Sequence, residues 1–222
     1  FPDFSDKKLA TRDTNHVILN EIAKKLPGFI GGSADLAPSN KTELKGMGDF
    51  PNGKNIHYGI REHAMAAINN GIARYGLFLP FSATFFIFSD YLKPSARIAA
   101  LMGIKHFFVF THDSIGVGED GPTHQPIEQL STFRAMPNFY TFRPADGNEN
   151  AASWHAALNL NAPSAFVLSR QGLEPLAKGE FGEVSNGAYL LSSAKDAKIT
   201  FIASGSEVSL CVKAAAILAE QG

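Results

Sequence analysis

The stretch THDSIGVGEDGPTHQ, residues 111–125, places two histidines, three carboxylates and three glycines within fifteen residues. Imidazole and carboxylate side chains at close quarters suit the hydroxyl groups and developing oxyanion of a sugar, and glycine lets the backbone approach a ligand closely. A metal site would use His112, Asp113, Glu119, Asp120 and His124, but their spacing matches no common ligand pattern. The stretch 111–125 has three interpretations: a metal site, a solvated loop, or a polar rim for a hydroxylated substrate. We favour the polar rim.

A second candidate is Glu62 in GIREHAMAAINNGIA, residues 59–73, where the spacing predicts a helix. Met65 and Asn69 follow Glu62 at i+3 and i+7, so its carboxyl group is expected on the buried side of that helix. Glu62 either complements the positive end of the helix dipole or serves as a carboxyl group in a dry crevice that shares a proton with a ligand.

Aromatic and cationic residues add two further candidates. Phe85, Phe88 and Tyr91 lie at i, i+3 and i+6, a stripe that indicates either core packing or a stacking wall for a flat heterocycle. Arg12 and Arg170 could clamp a phosphate bidentately or form surface ion pairs. Ser39, next to Asn40, is by itself a turn residue.

Alternating patterns predict the elements that position these residues. Strands are expected at 29–32, 55–60, 77–84, 106–111, 139–143 and 164–169. Helices are expected through Leu19, Ile22 and Leu26, from 62 to about Gly76, over 86–101 with Pro94 as a kink or start, from about Pro126, and over 147–160. Asp146 and Glu149 form a capping-box-like start for the last of these helices. The alternation predicts an α/β fold, a three-layer sandwich with a mostly parallel sheet.

The order of elements also predicts two domains. Residues 171–186 are rich in Gly, Pro and charge and are interpreted as a linker, after which a strand at 199–204 begins again. Ser204 with Glu207 would cap a helix to about Glu220. We therefore expect one domain over 1–185 and an incomplete second α/β domain over 186–222.

In open parallel sheets, ligands bind beyond the carboxyl ends of the strands. The residues that follow the predicted strands are polar or aromatic: Ser33, Asp35 and Ser39; Arg61, Glu62 and His63; Phe85 and Phe88; residues 111–125; and Arg170. If the sheet is parallel, these side chains converge on one edge, which is a stronger argument for a site than any single residue.

Composition excludes several classes. The net charge is −1 over 222 residues, so nothing indicates nucleic acid or an anionic membrane as a partner. No apolar run approaches the ~20 residues of a membrane span. The single cysteine, Cys211, lies among apolar residues, which predicts a buried thiol in a reducing compartment, and we expect a cytoplasmic location. The chain begins without Met and stops as a helix ends, so we expect a piece of a longer protein.

Taken together, these motifs resemble transketolase, a family that uses thiamine diphosphate to move a two-carbon ketol unit from a ketose phosphate to an aldose phosphate. The resemblance rests on the segments at 10–12, 31–40, 59–65, 111–125, 143–149 and 168–171: ATR, GGSADLAPSN, GIREHAM, THDSIGVGEDGPTHQ, RPADGNE and LSRQ. It covers essentially the whole chain, as the pyrimidine-binding domain of that family and the start of its C-terminal domain.

The resemblance implies a role for each candidate. Glu62 is similar to the glutamate that bonds the aminopyrimidine ring of the cofactor and favours its imino tautomer. Phe88 is similar to the residue stacked on that ring. The other expected positions fall into two groups: Phe85, Tyr91, Asp35 and Leu36 beside the cofactor, and Arg12, Ser39, His112, Asp120, His124 and Arg170 around the sugar phosphate, with His112 and His124 also catalytic.

In that family Mg²⁺ and the diphosphate are held by a different, N-terminal domain with a GDG pattern that this sequence lacks. No metal site is therefore expected here, and the resemblance implies half an active site, completed by a homodimer partner and inactive alone. The alternatives are another thiamine-diphosphate enzyme (dihydroxyacetone synthase, deoxyxylulose-phosphate synthase or the beta chain of a pyruvate dehydrogenase) and a non-catalytic dimerisation module.

Overall fold

A computed structural model describes residues 1–176 and 181–221. In these residues the strands β1 Phe29–Ser33, β2 Leu79–Phe85, β3 Phe107–Thr111, β4 Tyr140–Phe142 and β5 Ser164–Leu168 form a parallel sheet in the order β1-β2-β3-β5-β4. The helices are α1 Thr11–Lys25, α2 Ala37–Asn40, α3 Glu62–Tyr75, α4 Ser89–Met102, α5 Gln129–Arg134, α6 Gly147–Asn159, α7 Phe181–Val184 and α8 Glu207–Glu220. None of these helices, in the part of the chain described, has the length and apolar character to cross a membrane.

Strand β3 shows why the sheet is sandwiched between helices. Successive side chains of a strand face opposite sides. Phe107 and Val109 pack with residues of α1 and α6, whereas Phe108 and Phe110 pack with residues of α3 and α4. All five residues of β3 are buried, as the continuous apolar run predicted. The expected three-layer α/β sandwich is confirmed.

Aromatic packing fixes α6 on the sheet. Trp154 is fully buried, stacks on Phe166 of β5 with ring centroids 4.0 Å apart, and donates its indole N–H to Asn15 Oδ1 at 2.7 Å. Full burial of an aromatic side chain of this size contributes roughly 2–3 kcal/mol. The predicted N-cap is confirmed, because Asp146 Oδ1 accepts from the Glu149 backbone N–H at 2.8 Å.

The strand expected at 55–60 is wrong. The chain there makes isolated bridges from Asn55 to Gly31 and Asp49, and Tyr58 N–H donates to Ser33 at the end of β1. The Asn55 side chain bonds both backbone groups of Leu44 and so ties this segment to a neighbouring turn. These side-chain bonds compete with a strand ladder.

The helix expected at 86–101 is divided. Residues Phe86–Phe88 form a 3-10 turn, α4 begins at Ser89, and Pro94 lies inside α4. The helix expected from Pro126 begins at Gln129, where α5 starts.

The expectations for residues beyond 170 need more correction. The strand predicted at 199–204 is not formed, since no other strand of the described chain lies beside these residues to pair with them. Ile202 is 94% exposed. The N-cap of α8 is Ser206, without a side-chain capping bond, and not Ser204. Cys211 is half-buried rather than buried. The expected linker contains α7, and its residues 177–180 lie outside the described residues.

Candidate functional site

The carboxyl edge of the sheet gathers most of the candidate residues. Because all five strands are parallel, β1, β2, β3 and β5 end on the same side. Ser33, Phe85 and Thr111 are the last residues of β1, β2 and β3, and Arg170 follows β5 by two residues. The sequence-based expectation of one shared edge agrees with this arrangement.

Glu62 reaches the same edge from α3. The chain enters α3 beside Ser33, since Tyr58 N–H donates to the Ser33 carbonyl, and leaves it toward the start of β2. In the middle of the helix, Asn69 Nδ2 donates to Phe81 O at 3.0 Å, so α3 lies over β2 and runs antiparallel to it. The N-terminus of α3 therefore lies at the carboxyl edge, and Glu62, its first residue, is 8% exposed.

The aromatic candidates form a series of rings. Phe85 and Phe88 are stacked with centroids 5.9 Å apart, and Phe88 and Tyr91 continue the series at 6.2 Å. His124 meets Phe88 edge-on at 5.4 Å, and His112 stacks on Phe85 at 3.7 Å. Phe85 is buried and Tyr91 is exposed, so the series leads from the core to the surface. It is a wall of ring faces, as the i, i+3, i+6 spacing allowed.

The cationic candidates lie beside His112. Arg12 Nη1 donates to Ser39 O at 2.9 Å and lies 3.5 Å from His112 Nε2. Burial lowers the pKa of Arg12; the charge of Asp13 opposes this shift, and the nearby charge of Arg170 adds to it. The structure thus brings Arg12, His112 and Arg170 together, while Ser39 contributes its backbone carbonyl. Two cations this close favour an anion between them.

His112 is held as a neutral ring. The Thr111 hydroxyl donates to Asn40 Oδ1 at 2.6 Å, so the His112 Nδ1 at 2.8 Å must carry the proton that Thr111 accepts. His112 Nε2 is then the unprotonated nitrogen that faces Arg12. Burial lowers the pKa of His112 to about 4, and the charges of Arg12 and Arg170 contribute.

The loop 111–125 is divided between buried and exposed groups. His112 and Asp113 are buried, His124 is half-buried beside Phe85 and Phe88, and Asp120 is exposed. The charge of Asp120 acts on His112 and raises its pKa slightly against the arginines. Among the described residues, no group of three or more His, Cys, Asp or Glu side chains is arranged to hold a metal ion.

Two candidates lie apart from this cluster. Asp35 is exposed in the loop after β1 with φ +61°, and Leu36 is half-buried. In the described chain no hydrogen bond or ion pair joins Asp35 to the arginines or to the aromatic rings.

The sequence reasoning missed three residues that support the site. Thr111 and Asn40 orient His112, and Arg143 pairs with Asp113 at 2.9 Å. In the structure Arg143 directly follows β4 at the same edge, but the strand predicted at 139–143 included this residue, so the rule that selected Arg170 passed over it. Asn40 and Thr111 are 71 residues apart, and nothing in their local sequence indicates the bond.

Fold and edge together define an α/β ligand-binding domain whose site combines a wall of aromatic rings, a buried acid and a cationic corner. The family model "Transketolase, pyrimidine binding domain" matches residues 7–175, and "Transketolase-like TK C-terminal domain" matches residues 187–222. The chain belongs to the transketolase family.

Individual relatives agree. The chain is 51% identical to a transketolase of Bacillus subtilis (strain 168) over 96% of its length and 33% of the relative. A crystal structure of transketolase from Campylobacter jejuni is 73% identical in sequence, with a TM-score of 0.98. A crystal structure of transketolase from Pichia stipitis in complex with sedoheptulose 7-phosphate is 44% identical, with a TM-score of 0.96. Each alignment covers 100% of this chain and 35% of the other chain. The chain thus spans about a third of the length of the relatives it matches.

Proposed function

We propose that this chain carries the pyrimidine half of the active site of a thiamine-diphosphate-dependent transketolase. The enzyme transfers a two-carbon ketol group from a ketose phosphate such as xylulose 5-phosphate to an aldose phosphate such as ribose 5-phosphate, in the pentose phosphate pathway. Residues 1–185 are the pyrimidine-binding domain and residues 186–222 begin the C-terminal domain. The observation that carries the proposal is the meeting of a buried acid, a ring wall and an arginine pair at one sheet edge.

The residues present fit the aminopyrimidine of the cofactor. Phe88, half-buried between Phe85 and Tyr91, offers a ring face for stacking. Glu62, buried at the same edge, offers a carboxyl group that can exchange a proton with a ring nitrogen. Asp35 and Leu36 are assigned to the rim beside the ring. When bound, thiamine diphosphate supplies the carbanion chemistry, and the protein supplies orientation and charge.

The cationic corner fits the substrate phosphate. Arg12 and Arg170 are close enough for each to influence the pKa values of neighbouring groups, and Arg12 Nε is buried without a hydrogen-bond partner in the described residues. A buried donor without a partner costs free energy that a bound anion would recover. The backbone carbonyl of Ser39 accepts a hydrogen bond from Arg12 Nη1, so Ser39 lies beside this corner. His112, His124 and Asp120 are assigned to the sugar hydroxyls and carbonyl oxygen next to the phosphate, with the two histidines as catalytic groups.

The remaining half of the site is assigned to a second subunit of a homodimer, whose N-terminal domain would hold Mg²⁺ and the diphosphate. Exposed apolar side chains are consistent with a covered surface: Ile60, Ile68, Ile98, Leu101, Ile115 and Ile127. No nucleic-acid or membrane partner is proposed, and the enzyme is placed in the cytoplasm.

Substitution of Glu62 tests the catalytic role. In the full-length enzyme, Glu62→Ala should lower kcat by ~10²-fold or more, the range for loss of a general acid or base. Glu21→Gln, at an exposed carboxylate paired with Lys24 on α1, is the matched control and should leave kcat unchanged. Near-normal activity of Glu62→Ala would reject the catalytic role in favour of a dimerisation module.

Two assays separate the remaining alternatives. Product formation from xylulose 5-phosphate and ribose 5-phosphate, measured against pyruvate, distinguishes transketolase from the other thiamine-diphosphate enzymes. The 222-residue chain alone, given substrates, thiamine diphosphate and Mg²⁺, should show no turnover, and clear turnover would contradict the assignment of half a site.

A further inference from the structure

A charged cluster next to the proposed site belongs to none of the roles assigned above. Arg143, which follows β4, has a side chain that is 7% exposed, and Asp113 has a side chain that is 1% exposed. Arg143 Nε donates to Asp113 Oδ2 at 2.9 Å, and Nη2 lies 2.9 Å from the same oxygen. Asp113 is the neighbour of His112 in the chain, so this ion pair touches the site loop directly.

The other side of Arg143 faces the segment that leads into α8. Its Nη1 donates to Ser204 O at 2.8 Å and pairs with the Glu207 carboxylate, and its Nη2 donates to Ser206 Oγ at 3.3 Å. Arg134 adds a bond to Ser204 Oγ at 2.9 Å. One guanidinium group therefore holds residues from two distant parts of the chain.

Gly205 shows how closely this segment fits. Its φ is +61°, a conformation that favours glycine. A Cβ at this position would lie 2.9 Å from Cγ, Cζ and Nε of Arg143, nearer than side-chain carbons normally approach. The segment 204–207 is thus fitted against the Arg143 side chain by shape as well as by charge.

The ion pair bears on the conformation of His112. The backbone of His112 has φ +60°, a conformation that is unfavourable for a non-glycine residue and persists where its surroundings fix it. On one side Thr111 bonds the His112 ring, and on the other Arg143 fixes Asp113. The ring then stacks on Phe85 at 3.7 Å.

Charge in this cluster depends on Arg143. Burial raises the pKa of the Asp113 carboxyl group, and Arg143 opposes that rise. Burial also raises the pKa of Glu207, but Arg143 lowers it below its ordinary value. Among the described residues, Arg143 is the cation that acts on the buried Asp113, and its removal would leave that carboxylate with the hydrogen bond of Ser114 but without a charge partner.

We propose that Arg143 is a positioning residue that joins residues 204–207 to Asp113 and thereby holds His112 in the conformation that faces Arg12 and Phe85. The start of the C-terminal domain then acts on the substrate-binding corner without touching a ligand. The effect on catalysis rests on the proposed function, whereas the placement of His112 can be measured without it.

The first test uses the 222-residue chain and nuclear magnetic resonance. Arg143→Met should shift the ring signals of His112, because the guanidinium group no longer holds the neighbouring Asp113 carboxylate. Gly205→Ala retains every charge but adds a Cβ that would displace the Arg143 side chain. It should shift the His112 ring signals by less than Arg143→Met does. Arg97→Met, on the exposed face of α4, should leave them unchanged.

Glu207→Gln tests the contribution of the C-terminal segment. It retains the Arg143–Asp113 pair but removes the carboxylate that draws Arg143 toward α8. We expect a smaller shift of the His112 signals in the same direction. Unchanged His112 signals in both Gly205→Ala and Glu207→Gln would overturn the link to residues 204–207, even if Arg143→Met failed to fold.

The second test uses the full-length enzyme. Arg143→Met should raise KM for a ketose phosphate by about tenfold through misplacement of His112 at the substrate hydroxyls and carbonyl oxygen, and Arg143→Lys should restore part of the loss. An unchanged KM in Arg143→Met would contradict the positioning role. An absence of transketolase activity in the wild-type enzyme would refute the proposed function. The resonance test of His112 would still decide whether Arg143 positions this residue.

Discussion

The two ends of strand β3 each carry a buried histidine, and they use it differently. His106 precedes the strand and His112 follows it, with exposures of 0% and 2%. Burial is the largest cause of a lowered pKa in both, to about 3 for His106 and about 4 for His112. Residue type, burial and charge state are therefore shared, and only the partners differ.

His106 lies in a chain of neutral partners. Its Nδ1 donates to Asn70 Oδ1 at 2.8 Å, so its Nε2 accepts from the Ser82 hydroxyl at 2.8 Å. Ser82 in turn accepts from Asn69 at 2.7 Å, and Asn69 accepts from the Tyr58 hydroxyl at 2.7 Å. Both ring nitrogens are satisfied within the fold, which makes this end of the strand structural.

His112 lies between one neutral partner and two cations. Thr111 satisfies Nδ1, but Nε2 faces Arg12 at 3.5 Å, with the charge of Arg170 nearby. An anion placed there would add to the opposing charges of Asp13 and Asp120, which already act on Arg12 and His112. Burial of a histidine therefore says little about its role, whereas the charges that surround it indicate a ligand site.

Of the substitutions at these two histidines, His106→Asn should cause the largest loss of folding stability. The shorter side chain cannot reach both Asn70 and Ser82, so it leaves a cavity and at least one buried polar atom without a partner. The expected loss in the free energy of unfolding is about 3 kcal/mol, measured by urea denaturation at pH 7. A loss below about 1 kcal/mol would show that the network at the amino end does not stabilise the fold.

Both histidines should contribute to the pH dependence of folding stability. Their folded-state pKa values are depressed, so above pH 6.5 they are neutral in both states and contribute nothing. As the pH falls below 6.5, the unfolded chain binds protons first and stability is lost, down to about pH 4 for His112 and pH 3 for His106. Between pH 7 and pH 5 each histidine should cost about 2 kcal/mol.

The measurement is urea denaturation at the two pH values. His106→Asn should lose about 2 kcal/mol less than wild type on going from pH 7 to pH 5, because one of the two groups has been removed. Equal losses in the two proteins would mean that His106 is not held neutral in the folded state.

The sequence predicted the sheet more completely than the site. Strands β2, β3 and β5 are buried on both faces, and in β3 and β5 this burial is matched by the apolar runs FFVF and AFVL in the sequence. The segment at 55–60 also contains residues typical of strands, yet Asn55 bonds Leu44 and Gly48 instead of joining a regular strand. Side-chain bonds between distant segments cannot be inferred from periodicity.

For the site, the strand-end rule found His112 and Arg170 because it requires only the direction of the strands. The supporting residues depend on contacts across the chain: Arg143 and Glu207 are 64 positions apart, and Asn40 and Thr111 are 71 apart. Their partners become visible only once the fold is known.

A smaller effect is expected from the same substitution at the other end of the strand. His112→Asn should cost about 1 kcal/mol, because asparagine tolerates the φ of +60° and the main loss is the stacking on Phe85. The measurement is again urea denaturation at pH 7, beside His106→Asn. If the two variants lost equal stability, the carboxyl end would be as structural as the amino end, and the contrast drawn here would be wrong.

The smallest effect concerns the charge around His112. Arg12→Met removes a nearby positive charge, so the imidazolium form becomes less unfavourable and the pKa of His112 should rise from about 4 by less than about 1 unit. The titration of the His112 ring proton by nuclear magnetic resonance measures the change, with Lys24→Met on the exposed part of α1 as the control. Inorganic phosphate should raise the same pKa in wild type, because an anion between Arg12 and Arg170 offsets their repulsion, and should raise it less in Arg12→Met. A pKa that does not respond to phosphate in either protein would show that the arginine pair at the carboxyl end does not bind anions.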